Sequence, residues 1–315
     1  MTQQPAQPHL TVIGTPSNLQ EATTRANKHK RKTYLTQKIK VGLALALALL
    51  LLTPGVASTQ APAWASLIYA TLILTIETYT SATKPTREWV EARSAAENIK
   101  TCTWLYAVHG SPYDTGNDAE DNLRYRIDLT KNGQKFQVGH IPTRTHTRRH
   151  TLSRVQTQQR KPAKGVGVTA EATIIRQTGF QERKETYLQG RAHPMLNWYK
   201  ARATHHKRLG LLWKTVLTLA QLTAMTLLVG QLAGWWHVDL SSILGALIAA
   251  AASWSGAKQH PYLATIYKDT AANLENRIQG LKNANEKEWG TLVTGYENTL
   301  QEATKQWGAF RLGHN

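Results

Sequence analysis

The chain has 315 residues, of which 38 are Lys or Arg and 20 are Asp or Glu, so its formal net charge is +18. Its one cysteine, Cys102, excludes an intramolecular disulfide and every zinc module that is built on several cysteines. The mean hydropathy of −0.40 is typical of a basic soluble protein, but a mean conceals how charged and apolar residues are distributed along the chain.

The N-terminal residues 1–25 are rich in Gln, Thr, Pro and Asn and offer little that a core can bury, which predicts a disordered tail. Two apolar runs follow, at residues 41–58 and 61–82. As helices they measure about 27 and 33 Å, close to the roughly 30 Å hydrocarbon thickness of a bilayer. Proline and glycine residues occur where the first run ends and the second begins, so we predict two transmembrane helices joined by a short, uncharged loop.

The second span leads into residues 87–107, whose apolar positions recur at helical spacing and predict an amphipathic cytosolic helix. Alternating apolar and polar residues over 123–138, around the turn signal Asn132-Gly133, fit a small β-hairpin. A short helix over 119–129 fits part of the same segment. Residues 144–170 are polar and basic with few apolar side chains, and they predict a solvated linker.

A second pair of apolar runs, residues 215–236 and 240–257, predicts a second transmembrane hairpin, and residues 262–310 after it predict cytosolic helices. The predicted fold is therefore an all-α membrane protein with two helical hairpins, four transmembrane helices in total, extended by cytosolic helices. The last span carries small residues at every fourth position, where its hairpin partner, a second subunit or a pore-lining helix can approach closely. They include Ser241, Gly245, Ala249 and Ser253.

The distribution of charge predicts which side of the membrane each segment occupies. Residues 1–40 carry +6, residues 78–214 carry +13 and residues 258–315 carry +1, whereas the spans and outer loops hold only Glu77 and Asp239. If each hairpin enters and returns, every Lys and Arg lies on one side, as the positive-inside rule requires. We therefore expect both termini and the central region to be cytoplasmic. This location accounts for the basic clusters without a nucleic-acid partner.

Glu77 is an ionisable side chain within a predicted span, and with Thr71, Thr75 and Thr78 it gives that helix a polar side. Because ionisable groups in a bilayer are costly and often mark a functional path, our hypothesis is that these residues face a pore or a subunit contact. Glu77 also lies near the cytoplasmic end of the span, where its carboxylate can reach the interface by snorkelling, and both interpretations stay open.

The sequence contains no constellation that is typical of a catalytic or metal site. The cluster His140, His146 and His150 and the pair His205-His206 lack a cysteine or carboxylate partner at ligand spacing. The single cysteine falls inside a predicted helix without a neighbouring histidine, which favours a buried thiol over a nucleophile. We therefore expect no enzyme activity, no catalytic or metal-ligating residues and no cofactor.

Two stretches, one after the first hairpin and one before the second, carry aromatic and charged residues at the spacing of a known signature. They are Trp89, Arg93, Glu97, Lys100, Trp104 and Tyr106, and then Tyr187, Arg191, Trp198 and Tyr199. In these residues the chain resembles the SLATT superfamily of two-transmembrane effector domains in bacterial conflict systems. The resemblance covers most of residues 30–310. It implies two fused units, residues 26–143 and 171–315, in tandem.

The resemblance implies a bacterial inner-membrane effector of anti-phage defence that oligomerises on a cytoplasmic signal and forms a pore or disrupts the bilayer. The implied partners are the lipid bilayer, further copies of the chain, and a nucleotide second messenger or a SLOG-type sensor. The alternative is a membrane-anchored scaffold or sensor that recruits a cytoplasmic partner without permeabilising the bilayer. Two interpretations of the signature residues stay open. They contact a small acidic ligand, or they form an interface of packed side chains and salt bridges between helices.

Overall fold

The computed structural model describes Ile13 and residues 16–51, 60–114, 118–131, 168–235 and 240–313. All regular secondary structure in these residues is helical, and the predicted all-α fold class is confirmed. A π-helical turn (Leu188–Ala192) lies between Tyr187 and His193. The α-helices of the described residues are α1 (Ser17–Leu51), α2 (Ala61–Thr83), α3 (Pro85–Ala107), α4 (Ala119–Lys131), α5 (Ala170–Gln177), α6 (Phe180–Tyr187), α7 (His193–Leu232), α8 (Leu240–Lys258), α9 (His260–Asn283) and α10 (Glu286–Leu312).

The chain folds into two compact units, and each unit takes segments from both halves of the sequence. The first unit comprises Met1–Ala26, Val90–Tyr199 and Asp269–Asn315. The second unit comprises Asn27–Trp89 and Lys200–Lys268. The first unit therefore holds most of the predicted cytosolic helices, and the second unit holds the predicted membrane helices.

The first unit is built around buried aromatic side chains. Trp104, Trp289 and Tyr296 are each at most 1% exposed. The ring of Tyr187 meets all three edge-on, with centroid distances of 5.7 Å to Trp104, 5.8 Å to Trp289 and 5.9 Å to Tyr296. Because an edge-to-face pair contributes about 0.5–1.5 kcal/mol beyond its buried area, this ring cluster fixes α3, α6 and α10 against one another.

Local sequence signals set the position of α10 in this unit. The Asn285 side chain accepts the Glu288 N–H at 3.0 Å and so caps the start of the helix. Gly313, at a φ of 74°, ends it in the left-handed conformation that glycine adopts without strain. A Cβ at Gly308 would lie 2.9 Å from Val90 Cγ1, so this glycine allows α10 to approach α3 closely.

The second unit turns its apolar side chains outward. Leu74 on α2 is 68% exposed, and Met225 and Leu232 on α7 are 65% and 79% exposed. Such a surface is unfavourable in water, whereas hydrocarbon solvates it. One helical run among the described residues, Phe180–Leu232, is long and apolar enough to cross a membrane by length and composition.

The structure corrects the prediction of a disordered tail for residues 17–25. α1 begins at Ser17, and Leu19 and Ala26 are 1% and 8% exposed, so this segment buries an apolar face in the first unit. Ile13 is also fully buried, and its carbonyl accepts the hydroxyl of Thr169. A few well-placed apolar residues thus order a segment whose average composition is polar.

The structure also decides between the two alternatives for residues 119–131. They form α4, so the short helix is confirmed and the predicted β-hairpin is wrong in its first strand. Leu123 and Ile127 are fully buried and Tyr125 is 48% exposed, a pattern that four-residue helical spacing produces and strand alternation does not. The turn at Asn132-Gly133 and the second strand lie outside the described residues. So does most of the predicted linker, although its last residue, Ala170, begins α5.

Candidate functional site

A buried carboxylate joins three elements of the first unit. Glu297 on α10 is fully buried, and its Oε1 accepts from the Tyr187 hydroxyl and from Arg191 Nε, both at 2.9 Å. Its Oε2 accepts from Arg191 Nη2 at 2.9 Å and from the Thr101 hydroxyl at 2.6 Å. The bidentate contact to Arg191 is the strongest common form of ion pair in proteins. The four bonds together occupy the acceptor positions of the carboxylate.

Arg191 reaches this carboxylate from the π-helical turn. In a π-helical turn the chain holds an additional residue, which re-aims the side chains that follow, and such turns occur frequently at functional sites. Here the turn places Leu188 and Arg191 on the buried side. Arg191 is fully buried, and its Nη1 has no hydrogen-bond partner among the described residues.

A second carboxylate, Glu97 on α3, lies beside the first pair. It accepts from Lys100 Nζ at 3.0 Å, and the two side chains are 16% and 7% exposed. Burial acts to raise the pKa of Glu97, but the positive charges of Lys100, Arg93 and Arg191 outweigh burial and lower the pKa to about 2. We define the charge network as Glu97, Lys100, Thr101, Tyr187, Arg191 and Glu297.

The charge network suits a structural role better than acid–base chemistry. Burial opposes the charged form of Arg191, but the Glu297 carboxylate reverses this effect and raises the Arg191 pKa above its usual value. Burial and the same carboxylate raise the pKa of Tyr187 well above its ordinary range, so its hydroxyl remains a neutral donor. Glu297, with its acceptor positions occupied, is not available as a general base.

A recess lies next to the charge network. Its volume is about 10 Å³, room for roughly one water molecule. Trp198 and Tyr199 stand in its wall with their ring centroids 4.9 Å apart. The complete lining is Arg93, Glu97, Thr101, Met195, Trp198, Tyr199, Leu300, Gln301 and Thr304. The structure therefore brings four of the predicted signature residues (Arg93, Glu97, Trp198 and Tyr199) into one recess wall, beside three others in the network (Lys100, Tyr187 and Arg191).

A second polar cluster ties the end of α3 to α5 and α10. Arg176 donates through Nη1 to the Tyr106 carbonyl at 2.6 Å and through Nη2 to the Tyr113 carbonyl at 2.8 Å. Its guanidinium also lies 4.7 Å from the centroid of the Tyr106 ring. Trp289 Nε1 donates to the Val108 carbonyl at 2.7 Å. These contacts satisfy carbonyls at the end of α3 and hold the loop after it.

The predicted pore residues lie in the second unit. Glu77 is paired with Lys40 of α1, and the Glu77 side chain is 55% exposed. Thr71, Thr75 and Thr78 each donate their hydroxyl to a carbonyl four residues earlier at 2.8 Å. Their hydroxyls are thus satisfied within α2, as a helix in lipid requires. Whether these residues face a pore stays a prediction.

The remaining predicted residues also divide between the two units. Trp89 is buried in the second unit, with its ring centroid 5.8 Å from that of Tyr34. On α8, Gly245, Ala249 and Ser253 are exposed, and a Cβ at Gly245 would meet no atom of the described residues within 4 Å. This side of α8 is exposed in the single chain.

The described residues contain no group of three or more potential metal ligands. His206 does form a pair, with its Nδ1 2.8 Å from His260 Nδ1, but two histidines alone do not complete a metal site. The cluster His140, His146 and His150 lies outside the described residues. Cys102 is buried, and burial raises the pKa of its thiol, as expected for a structural cysteine.

Sequence reasoning missed Glu297 and its contact with Thr101. A signal was present, because Glu297 follows Val293 by four residues and precedes Leu300 by three, on the apolar face of the helix. A carboxylate at such a position must be paired when it is buried. Its partner on α3 lies 196 residues away, and no local pattern reveals that contact.

Comparison with known families agrees with this arrangement. Residues 16–184 match SMODS and SLOG-associating 2TM effector domain 3, and residues 187–307 match SMODS and SLOG-associating 2TM effector domain 1. The chain belongs to the SLATT family. No curated protein and no solved structure matches it significantly. The resemblance seen in the sequence is confirmed, including the tandem arrangement, and the SLATT chain is a helical membrane protein with effector domains.

The first SLATT match ends at residue 184, and the second begins at Tyr187. Glu97, Lys100 and Thr101 belong to the first match, whereas Tyr187, Arg191 and Glu297 belong to the second. The charge network therefore bonds one SLATT domain to the other inside the first unit. The predicted bounds of 26–143 and 171–315 for the two domains stay a prediction.

Proposed function

We propose that this SLATT protein is an effector of the bacterial inner membrane that oligomerises on a cytoplasmic signal and forms a pore or disrupts the bilayer. It would act in a conflict or anti-phage system, where permeabilisation kills or arrests the infected cell. The observation that carries the proposal is the tandem of 2TM effector domains in a chain whose second unit turns its apolar side chains outward. A protein so placed acts most directly on the membrane itself.

The charge distribution supports a cytoplasmic trigger. Residues 78–214 carry +13 and residues 1–40 carry +6, so the positive-inside rule favours cytoplasmic termini and a cytoplasmic central region. The outer loops are short and leave little for an external receptor. We propose a nucleotide second messenger or a SLOG-type sensor as the signal, received by the first unit.

The exposed side of α8 supports assembly into a homo-oligomer. Gly245, Ala249 and Ser253 lie four residues apart, and small residues at this spacing allow helices in lipid to approach closely. In the single chain these three residues are exposed. In a closed ring of subunits, a second copy of the chain would pack against this side of α8.

The rival proposal is a membrane-anchored scaffold that recruits a cytoplasmic partner without permeabilising the bilayer. We propose that the chain is not an enzyme under either interpretation, since Glu297 is saturated with hydrogen bonds and Cys102 is a buried thiol. Expression in bacteria together with a membrane-potential dye separates the two proposals. An effector depolarises the cells before growth stops, whereas growth arrest at full membrane potential would support the scaffold.

Glu77 provides a residue-level test of the pore. The Glu77→Leu variant should reduce depolarisation at least several-fold. The substitution would remove the charge from a polar path and would leave Lys40 without its carboxylate partner. Tyr79→Leu is the matched control, since Tyr79 is 50% exposed on the same helix and carries no charge. Membrane fractionation checks that both variants insert equally. Equal depolarisation by Glu77→Leu and the unmodified chain would remove Glu77 from the pore.

A further inference from the structure

The helices α1 and α7, which lead into the two predicted hairpins, carry the same pattern of charged and apolar residues. Residues 29–38 read HKRKTYLTQK, and residues 205–214 read HHKRLGLLWK. Each segment has a basic pair, then a leucine and then a lysine at the same spacing. We define the α1 stripe as Arg31, Lys32, Leu35 and Lys38. We define the α7 stripe as Lys207, Arg208, Leu211 and Lys214.

Each stripe occupies one exposed face of its helix. At 3.6 residues per turn, the four positions of a stripe lie within about 120° of the helix circumference. All eight side chains are exposed. The other side of each helix packs against the second unit, since the Tyr34 ring lies 5.8 Å from the Trp89 ring and a Cβ at Gly210 would lie 3.5 Å from Pro261 Cγ. Both stripes therefore face away from the packed side.

The protein does not neutralise the cations of the stripes. None of the six has a carboxylate partner among the residues that the structure describes. The second unit contains 15 of the 38 Lys and Arg residues but three of the 20 Asp and Glu residues, at positions 77, 88 and 239. The positive-inside rule accounts for basic residues beside a span, but it does not require the same spacing on an exposed face of both helices. Such a surface favours an anionic partner.

The apolar residue of each stripe and its place in the chain indicate which anion fits. Leu35 and Leu211 are 59% and 66% exposed. Lys38 lies three residues before the first predicted span, and Lys214 lies directly before the second. Their flexible stems let the ammonium groups reach the depth of lipid phosphates. The basic pair lies about 10 Å farther along the helix axis, toward the aqueous edge of the head groups. A phospholipid offers both a phosphate and an apolar part, whereas a soluble anion offers the leucine nothing.

We propose that the α1 stripe and the α7 stripe are each a binding site for the head group of an anionic phospholipid such as phosphatidylglycerol. The three cations of a stripe bind the phosphate, and the leucine packs against the glycerol backbone and the first methylene groups of the acyl chains. The proposal rests on the proposed placement of the second unit in the bacterial inner membrane. It does not depend on ion conduction or on the activating signal.

Native mass spectrometry of the full chain in detergent tests the proposal, with phosphatidylglycerol and phosphatidylcholine of the same acyl chains as probes. Each Lys or Arg near an anionic lipid contributes a factor of about five in affinity. The first two phosphatidylglycerol molecules should therefore bind at least about fivefold more tightly than phosphatidylcholine. The α7 variant, Lys207→Gln with Arg208→Gln and Lys214→Gln, should weaken one of these two binding events by at least about 10-fold. The corresponding change of the three α1 cations to glutamine should weaken the other.

The matched control changes three exposed cations of α9 and α10, by Lys268→Gln with Lys282→Gln and Lys287→Gln. It removes the same amount of charge from positions outside the stripes, and it should change the binding of either lipid less than about twofold. Glutamine has nearly the helix propensity of lysine and arginine, and circular dichroism of each variant checks that the helices are retained.

Three results would overturn the proposal. The first is equal affinity for the two lipids, and the second is equal loss of phosphatidylglycerol binding in the α7 variant and the control, which would show that total charge alone attracts the lipid. The third is full displacement of the lipid by an equal concentration of glycerol 1-phosphate, which would indicate a soluble phosphate compound. Membrane-potential measurements test the proposed pore separately, because a chain that binds phosphatidylglycerol at both stripes and does not depolarise cells would contradict the pore and retain the lipid sites.

Discussion

Replacing Glu297 with leucine should destabilise the first unit more than any surface change, because of what the substitution leaves behind. The Arg191 guanidinium would remain in a site where its side chain is 1% exposed, without its carboxylate. The hydroxyls of Tyr187 and Thr101 would lose their acceptor as well. Burying an unpaired charge is costly, since neither water nor a counter-charge then stabilises it.

The magnitude follows from the burial of the pair. Breaking a buried ion pair by removing one partner costs about 3–5 kcal/mol. For a unit of this size about 1 kcal/mol lowers the midpoint of thermal unfolding by about 2–4 °C, so Glu297→Leu should lower it by about 6–20 °C. The exposed pair Glu302–Lys305 is the matched comparison, with side chains 58% and 59% exposed. Glu302→Leu should cost no more than about 1 kcal/mol.

Near-ultraviolet circular dichroism of the full chain in detergent measures the midpoint, because the buried rings of Trp104 and Trp289 report on packing of the first unit. A double variant, Arg191→Met with Glu297→Leu, should recover most of the loss, since a well-packed apolar pair avoids the cost of burying charges. The reasoning would be refuted by a Glu297→Leu midpoint within about 2 °C of the unmodified chain, the shift expected for less than about 1 kcal/mol. A double variant that is no more stable than Glu297→Leu would refute it equally.

Two further predictions concern titratable groups of the first unit. The unfolded chain protonates Glu97 near the ordinary glutamate pKa of 4.5, whereas the folded pKa is about 2, so the stabilisation by this carboxylate is complete above pH 4.5 and is lost as pH falls toward 2. In the Glu97→Gln variant, the midpoint of thermal unfolding should therefore fall less steeply between pH 4.5 and pH 2 than in the unmodified chain. An equally steep fall would contradict the lowered pKa of Glu97. Cys102 is 1% exposed with a raised thiol pKa, so a thiol reagent at about pH 8 should label it at least about 100-fold more slowly in the folded chain than in denaturant, as expected for a group that opens only transiently. Rapid labelling of the folded chain would show that α3 opens easily.

Much of the fold could be predicted from the sequence because its strongest signals are local. The long apolar runs and the helical spacing of residues such as Trp289, Val293 and Tyr296 each extend over many residues, and the structure is helical at these positions. A weaker and shorter pattern predicted the wrong structure. Leu123, Tyr125 and Ile127 alternate with polar residues as in a strand. Leu123 and Ile127 are also four residues apart, however, so they share one face of a helix, and Tyr125 lies on another.

The candidate site could be predicted only in part, since its residues are distant in sequence. Trp198 and Arg93 were identified from the family signature, but no periodicity places them in one recess. Arg191 is aimed by a π-helical turn, which depends on tertiary packing and leaves no mark in local propensity. The bond between Thr101 and Glu297 arises only when helices from both SLATT domains pack together.

The two SLATT domains contribute related but unequal carboxylates. Glu97 and Glu297 each follow a predicted transmembrane hairpin, on α3 and α10, and each is paired with a cation. Glu297 is fully buried and accepts four hydrogen bonds, so removing its carboxylate alone costs about 3–5 kcal/mol. The Glu97 side chain is 16% exposed, is paired with Lys100 and faces the recess. A change at Glu97 should therefore disturb the packing of the two domains less than a change at Glu297, which bonds α10 to Thr101, Tyr187 and Arg191.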